Sequence, residues 1–145
     1  PFRFIALPDA NLGDLAQPIV GRGLTYGDLD GDGDLDLVIT TVGERPRLLL
    51  NESPKTNHWL RVRLEGTQSN RDGIGAVITL TNGETVQRRL VSRTASYLCQ
   101  VPVSATFGLG PNPQPGSLQI RWPSGKEQTV EISLWDQEIK VSEPQ

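Results

Sequence analysis

Apolar and polar residues alternate along most of the chain in short runs separated by turn residues. Leu60, Val62 and Leu64 alternate with charged residues, and the run VEISL at 130–134 repeats the pattern. A period of two residues is typical of a β-strand with one face in water. No pattern predicts a helix longer than one or two turns. The chain is therefore expected to be all-β, with strands in FRFIAL, GLTYGDL, LDLVITT, RLLLNE, HWLRVRLEG, GAVITLTN, ETVQRRLVS, SYLCQVP, ATFGLG, SLQIRW, QTVEISL and QEIKVS.

Two turn signals support this division into strands. Asn82-Gly83 lies between two alternating runs and predicts a hairpin, because both central residues of a type I′ turn need a positive φ. Pro123-Ser124-Gly125 predicts a second turn.

A polar stretch at 52–57, ESPKTN, predicts a boundary between two units, residues 1–53 and 54–145. The first unit has about four predicted strands, which are apolar on both faces, with Leu37 and Ile39 on one face and Val38 on the other. Strands of this kind need cover on both sides. We therefore expect the first unit to pack on the second unit, on another subunit or on further repeats.

Composition narrows the class of protein. With 36% hydrophobic and 21% charged residues the chain has a globular composition, and no apolar run approaches the roughly 20 residues that span a bilayer. The net charge is −3, less negative than the five aspartates between residues 28 and 36 alone, so the acidity is local. No basic stripe with aromatic residues indicates nucleic-acid binding. The lack of methionine favours a processed protein or a fragment, and with it export.

The acidity is concentrated in YGDLDGDGDLDLVITT at 26–41. Carboxylates recur at every second position, and Gly31 and Gly33 allow sharp bends between them. Ca²⁺ takes about six to eight oxygen ligands, which such a loop can supply. A solvated acidic turn or a metal-free hairpin would hold several carboxylates together without a counter-charge. The pattern therefore predicts a Ca²⁺ site with the ligands Asp28, Asp30, Asp32, Asp34 (through its carbonyl) and Asp36.

The loop differs from an EF-hand. An EF-hand has a bidentate Glu at its twelfth position and continues into a helix, whereas Ile39 stands here at that position within a β-branched run. The loop is therefore expected to join two strands. Mg²⁺ fits less well, because it needs a small octahedral site and keeps its waters.

Two parts of the chain resemble known families. GLTYGDLDGDGDLDLVITT followed by RLLLNE resembles one FG-GAP (VCBS-type) repeat, the calcium-binding blade of integrin-like β-propellers. NHWLRVRLEGTQSNRDGIGAVITL, SYLCQ, FGLG and IRWPSGKEQTV, in that order, resemble the ASPIC/UnbV domain. The resemblances imply one propeller-blade-like antiparallel sheet with a Ca²⁺-binding hairpin loop in residues 1–53, and a β-sandwich-like domain in residues 54–145. They also imply an extracellular or cell-surface location, Ca²⁺ on the five aspartates and no catalytic site.

Other reactive residues have plainer interpretations. The single histidine, His58, has no Cys or His partner nearby in the sequence, and Cys99 is interpreted as a buried, inert thiol. No nucleophile elbow is present, so no enzymatic activity is expected. Trp59, Trp122 and Trp135 are able to stack on sugars, but their apolar neighbours favour packing in the core or an interface.

We therefore expect a calcium-stabilised extracellular module for interaction, adhesion or scaffolding. Its partners would be other protein subunits or extracellular protein and glycan ligands, without nucleic acid. One alternative is a self-assembling fibre or lattice subunit, because propellers have several blades and this chain has one repeat. In that case the N-terminal segment PFRFIAL would add to a neighbour's sheet edge. A second alternative is a carbohydrate-binding β-sandwich that uses exposed tryptophans.

Overall fold

The computed structural model describes residue 3, residues 5–6 and residues 8–145. These residues form twelve β-strands and two short 3₁₀ turns, Asp9–Asn11 and Gly13–Ala16, so the predicted all-β class is confirmed. No helix among them has the length and apolar character needed to cross a membrane. The FRFIAL run at 2–7, and with it the N-terminal strand addition, falls in part on residues outside the described ranges.

The first sheet consists of β1 (Gly21–Gly27), β2 (Asp36–Thr41) and β3 (Arg47–Leu49). Its strands are antiparallel and lie in the order β1-β2-β3. Within the described part of residues 1–53 the sheet has three strands, one fewer than the sequence pattern predicts. The acidic segment joins β1 to β2, which is the strand–loop–strand arrangement that the sequence predicts.

The other strands follow after residue 57. They are β4 (His58–Glu65), β5 (Val77–Asn82), β6 (Thr85–Leu90), β7 (Thr94–Ser96), β8 (Cys99–Gln100), β9 (Ala105–Gly110), β10 (Gly116–Arg121), β11 (Glu127–Ile132) and β12 (Gln137–Ser142). One sheet is antiparallel, in the order β11-β10-β5-β6. The other has the order β12-β4-β9, with β12 parallel and β9 antiparallel to β4. β7 and β8 form a small separate hairpin.

The four-stranded sheet and the sheet centred on β4 share one hydrophobic core, and together they are called the sandwich below. The alternation of β4 places Leu60, Val62 and Leu64 in this core, with exposed fractions of 0%, 0% and 4%. Every member of the core cluster lies between Leu60 and Val141. Burial of a leucine or valine side chain in this core contributes about 1.5–3 kcal/mol. The predicted β-sandwich-like domain is therefore confirmed.

The hairpin predicted between β5 and β6 is present, but its turn differs from the prediction. Asn82 pairs with Thr85, so Gly83 and Glu84 are the central residues. Gly83 has a φ of +56°, and Glu84 does not have a positive φ. Glycine in this conformation at the first central position is the pattern of a type II′ turn, not of the predicted type I′ turn.

The run SYLCQVP at 96–102 is not one strand, so that prediction is wrong. β7 ends at Ser96 and β8 begins at Cys99, with Tyr97 and Leu98 in the turn between them. Leu98 has a φ of +53° and is 88% exposed. The prediction fails because Tyr97 and Leu98 are apolar, and hydrophobic patterning places apolar residues in a strand although these two lie at the tip of a hairpin.

The turn predicted at Pro123-Ser124-Gly125 is present and connects β10 to β11. The Gly125 N–H donates to the Trp122 carbonyl at 2.9 Å, and the Trp122 N–H donates to the Lys126 carbonyl at 2.9 Å. Gly125 has a φ of +90°, which accounts for glycine at this position.

Candidate metal centre

The acidic loop is shaped by hydrogen bonds from its backbone to its own carboxylates. The Gly31 and Asp32 N–H groups donate to Asp28 Oδ1 at 2.8 and 3.0 Å, and the Gly33 N–H donates to Asp28 Oδ2 at 3.0 Å. The Asp34 N–H donates to Asp32 Oδ1 at 2.9 Å. Such local side-chain acceptors bend the chain without a ladder of backbone bonds. Asp28 is therefore the centre around which the loop turns.

Asp36 fixes the other end of the loop. Its side chain is buried, with the residue 1% exposed. Asp36 Oδ2 accepts the Leu29 N–H at 2.7 Å, and Oδ1 accepts the Asn51 N–H at 2.9 Å. A buried carboxylate is costly unless such donors satisfy it. These two bonds tie the loop to the segment after β3 and hold the Asp36 carboxylate in place.

Three of the five predicted ligands converge. Asp28, Asp30 and Asp36 each contribute one carboxylate oxygen, and these oxygens all lie within 4.8 Å of one another. Oxygens bound to one Ca²⁺ lie about 2.3–2.6 Å from the ion, so a separation of this size suits ligands of a single ion.

Of the other two predicted ligands, Asp32 does not place its carboxylate among the converging oxygens. Asp32 Oδ2 is 3.0 Å from Lys55 Nζ. Hydrogen bonds from the Asp34 N–H and from Lys55 hold the pKa of Asp32 below its usual value, and the same contact raises the pKa of Lys55. Lys55 is 57% exposed, and exposed pairs of this kind are weak. The Asp34 carboxylate does not belong to the converging set, and the sequence predicts only a carbonyl ligand there.

The converging donors fit a hard divalent cation. All three are carboxylates, which suit Ca²⁺, whereas transition metals favour imidazole or thiolate ligands. The single histidine, His58, directs Nδ1 to Asp136 Oδ2 at 2.6 Å, and Cys99 lies on β8. Asp28, Asp30 and Asp36 would therefore hold the ion, which would neutralise the carboxylates and cross-link the two ends of the loop.

Arg61 of β4 contacts this loop, and the sequence pattern does not single it out. Its Nη1 lies 2.9 Å from Asp28 Oδ2, and its Nη2 donates to the Gly33 carbonyl at 3.4 Å. Burial alone would raise the pKa of Asp28. Hydrogen bonds from Arg61 and from the Gly33 and Gly31 N–H groups outweigh this effect and hold the pKa of Asp28 below its usual value. The guanidinium stacks on the Trp59 ring, 4.9 Å from its centroid.

The first sheet also contacts the β7–β8 hairpin along β1. Thr25 Oγ1 donates to the Gln100 carbonyl at 2.5 Å. A β-carbon at Gly23 would lie 2.4 Å from Cys99 Sγ, so only glycine allows this approach. The first sheet is expected to pack on the second unit, on another subunit or on further repeats. Contact with the second unit is present where β1 meets the β7–β8 hairpin. Cys99 is partly buried and not disulfide-bonded.

The three tryptophans occupy packing positions. Trp122 is 2% exposed, belongs to the core and donates from Nε1 to Gln128 Oε1 at 3.1 Å. Trp135 is partly buried against the core, and Trp59 lies beneath Arg61. The packing role predicted for Trp122 is confirmed, and its burial excludes it from stacking on a sugar.

Glu143 is a second residue that the sequence pattern does not reveal. It is 2% exposed, and its Oε2 accepts the N–H groups of Thr67, Gln68 and Ser69 at 2.8, 2.8 and 2.7 Å. Its Oε1 accepts the hydroxyls of Ser69 and Ser124 at 2.9 and 2.5 Å. Burial would raise the pKa of Glu143, but these hydrogen bonds hold it far below its usual value. Glu143 thus fastens the segment after β12 to the loop after β4.

Comparison with known proteins gives two kinds of match. The model of the family described as ASPIC and UnbV matches residues 66–145, more than half of the chain. The chain is 31% identical over 125 residues to cartilage acidic protein 1 of Xenopus tropicalis. It is 31% identical over 126 residues to the proteins of the same name from Mus musculus and Homo sapiens.

Each alignment covers 83% of this chain and 19% of the relative, so the chain spans about a fifth of the length of the curated relatives it matches. An alignment over 83% of the chain leaves about 25 of the 145 residues outside it. The acidic loop begins at residue 28, more than 25 residues from either end of the chain, so the alignment includes it. The family match begins just after β4 and includes most of the sandwich strands. The chain belongs to the ASPIC and UnbV family.

Proposed function

We propose that the chain is a calcium-binding extracellular interaction module, in which an FG-GAP-like repeat precedes the ASPIC/UnbV domain. The observation that carries this proposal is the convergence of Asp28, Asp30 and Asp36 on a loop between two antiparallel strands. Two further observations support it. The loop sequence resembles an FG-GAP repeat, and the alignments with cartilage acidic protein 1 include it.

The calcium ion would act structurally and not catalytically. Asp28 follows β1 and Asp36 begins β2, so an ion bound by both would close the loop between the two strands. Extracellular modules bind Ca²⁺ with dissociation constants of about 10⁻⁴–10⁻³ M. We propose the same range here, with the domain boundary at residues 53 and 54 and with proteins or glycans outside the cell as partners. The name of the relatives supports the extracellular location.

Calorimetric titration of the chain with Ca²⁺ tests the proposal. The wild type should bind one ion saturably, and Asp30→Asn should weaken binding about tenfold or more, because the number of charged ligands sets the affinity. Asp9→Asn is the matched control, since it removes the same charge from a 3₁₀ turn outside the loop. The absence of saturable binding by the wild type at millimolar Ca²⁺ would refute the proposal.

A second candidate function, a self-assembling subunit, is favoured by the apolar surface of the first unit. Of the sixteen large hydrophobic side chains that are exposed among the described residues, ten precede residue 54. Leu48 on the edge strand β3 is 57% exposed. Exposed apolar edge strands promote pairing between chains.

Light scattering over a range of protein concentrations, with Ca²⁺ and then with chelator, tests this candidate. We expect oligomers in the wild type, which Leu48→Lys should dissociate. A monomer at every concentration in both conditions would exclude self-assembly and would leave calcium binding unaffected.

A further inference from the structure

Arg61 belongs to the sandwich but directs its charge at the acidic loop of the first sheet. Its side chain is 13% exposed and that of Asp28 is 7% exposed, so the ion pair between them is largely shielded from water. Arg61 Nε also lies 3.4 Å from Thr106 Oγ1 of β9, and its guanidinium rests on the Trp59 ring. Contacts on three sides hold the guanidinium in one orientation.

Asp28 is shared between Arg61 and the converging carboxylates. Its Oδ2 accepts Arg61 Nη1 and the Gly33 N–H, while its Oδ1 accepts two other N–H groups of the loop. At the same time one oxygen of Asp28 belongs to the cluster with Asp30 and Asp36. A carboxylate can bridge a metal ion and a hydrogen-bond donor, and the donor then fixes the direction in which the carboxylate faces the metal.

The loop also touches Trp59 closely. Gly33 has a φ of +97°, and a β-carbon there would lie 2.4 Å from Trp59 Nε1. The loop is therefore seated on two residues of β4, Trp59 and Arg61, which alternate with the core residue Leu60. Any change in the loop that accompanies cation binding must be compatible with this contact.

We propose that Arg61 is a positioning residue for the cation site, so that calcium binding and the docking of the first sheet on the sandwich stabilise each other. The inference rests on the proposed calcium binding. It adds a residue of the sandwich to a site whose ligands all lie in the acidic loop of the first sheet. Coupling of this kind is reciprocal: if docking strengthens calcium binding, calcium strengthens docking by the same factor.

The opposite outcome, stronger calcium binding after the loss of Arg61, also has a clear physical basis. Arg61 is a permanent positive charge next to the cluster, and if it only competed with the ion, its removal would strengthen calcium binding. The other hydrogen bonds to Asp28 come from the loop itself. Arg61 is therefore the residue of the sandwich that orients this carboxylate. The loss of orientation is therefore expected to outweigh the relief of repulsion.

The test compares Arg61→Gln with Arg63→Gln in the full chain. Both variants remove one positive charge from β4, but Arg63 is exposed and makes no ion pair among the described residues. Calorimetric titration should show Ca²⁺ affinity about 10- to 100-fold lower for Arg61→Gln, the usual effect of losing a partner that orients a ligand. Arg63→Gln should stay within about twofold of the wild type, because its charge lies outside the contact.

The tryptophan signal supplies a second readout. The Trp59 indole resonance in two-dimensional NMR should shift on addition of Ca²⁺ in the wild type and should respond less in Arg61→Gln. Arg61→Lys, which keeps the charge without the planar guanidinium, should have an intermediate affinity and remains informative if the glutamine variant folds poorly.

The outcomes separate the two proposals. Unchanged or higher affinity in Arg61→Gln, with normal binding by the wild type, would overturn the role of Arg61 and leave the calcium site standing. No binding by the wild type would overturn both.

Discussion

The first sheet and the sandwich differ in how they are held together. Of the sixteen buried hydrophobic residues among the described residues, Ile39 alone belongs to the first sheet, and the others all lie after residue 59. The sandwich therefore has its own core. The first sheet depends on polar contacts: carboxylates that accept backbone N–H groups, the Arg61–Asp28 pair and the hydrogen bonds of β1 to the β7–β8 hairpin.

This difference indicates where a bound cation would have the most influence. Burial of apolar surface supplies most of the free energy of folding, and the core of the sandwich provides such burial. The first sheet exposes much of its apolar surface, so the closing of its acidic loop is a larger share of its stability. A metal bound at such a loop would be coupled to local folding.

The largest expected effect on the free energy of unfolding comes from making the same substitution, leucine to alanine, in each of the two regions. Leu80 is 1% exposed in the sandwich core and Leu48 is 57% exposed on β3. Leu80→Ala should lower the free energy of unfolding by about 2–5 kcal/mol, because it leaves a cavity. Leu48→Ala should change it by less than about 0.5 kcal/mol. Urea unfolding measures both, and similar losses for the two variants would mean that the first sheet and the sandwich depend equally on apolar burial.

A smaller effect is expected from Glu143, which stabilises the sandwich by polar contacts alone. The pKa of Glu143 is lowered in the folded protein from its ordinary value of 4.5. The carboxylate therefore stabilises the fold above pH 4.5, and this stabilisation is lost progressively as the pH falls below 4.5. Glu143→Gln should lower the melting temperature by several degrees at neutral pH. The difference from the wild type should narrow progressively below pH 4.5.

Calorimetric melting across this pH range provides the measurement. Glu131→Gln is the matched control, because Glu131 is exposed and the substitution removes the same charge. A difference between wild type and Glu143→Gln that is constant with pH would show that the carboxylate charge is not what stabilises the contact.

The smallest expected effect sharpens the contact between the two regions. Gly31 and Gly33 both have positive φ, but a β-carbon at Gly31 meets open space and one at Gly33 meets Trp59. Alanine at either position carries the same kind of backbone strain. Gly33→Ala should therefore lower the free energy of unfolding by about 1 kcal/mol more than Gly31→Ala, through overpacking against Trp59. Equal losses would mean that the loop yields freely at this contact.

The sequence pattern predicts much of the fold because alternation is a local signal. Leu60, Val62 and Leu64 are buried as their spacing predicts. The same rule predicts Leu134 to be inward-facing, yet Leu134 lies beyond the end of β11 and is 69% exposed. Alternation therefore fails where a strand ends, since it does not show how far a strand extends.

The candidate site is predicted only in part, for a related reason. The spacing of the aspartates identifies the loop, but their final contacts depend on tertiary structure, which leaves Asp32 with Lys55. Arg61 and Arg63 have the same place in the alternating pattern, and nothing local distinguishes the one that reaches Asp28. Glu143 is likewise found only from the fold, because the backbone N–H groups that it accepts lie more than seventy residues away along the chain.

Hydrogen exchange, measured with Ca²⁺ and with chelator, shows whether calcium stabilises the first sheet and not the sandwich. We expect slower exchange with Ca²⁺ in the loop amides that donate to carboxylates, from Gly31 to Asp34, and in β1 and β2. The core strands of the sandwich, such as β5 and β10, should exchange at the same rate in both conditions. No effect of Ca²⁺, or an equal effect throughout the chain, would contradict a calcium site that stabilises the first sheet.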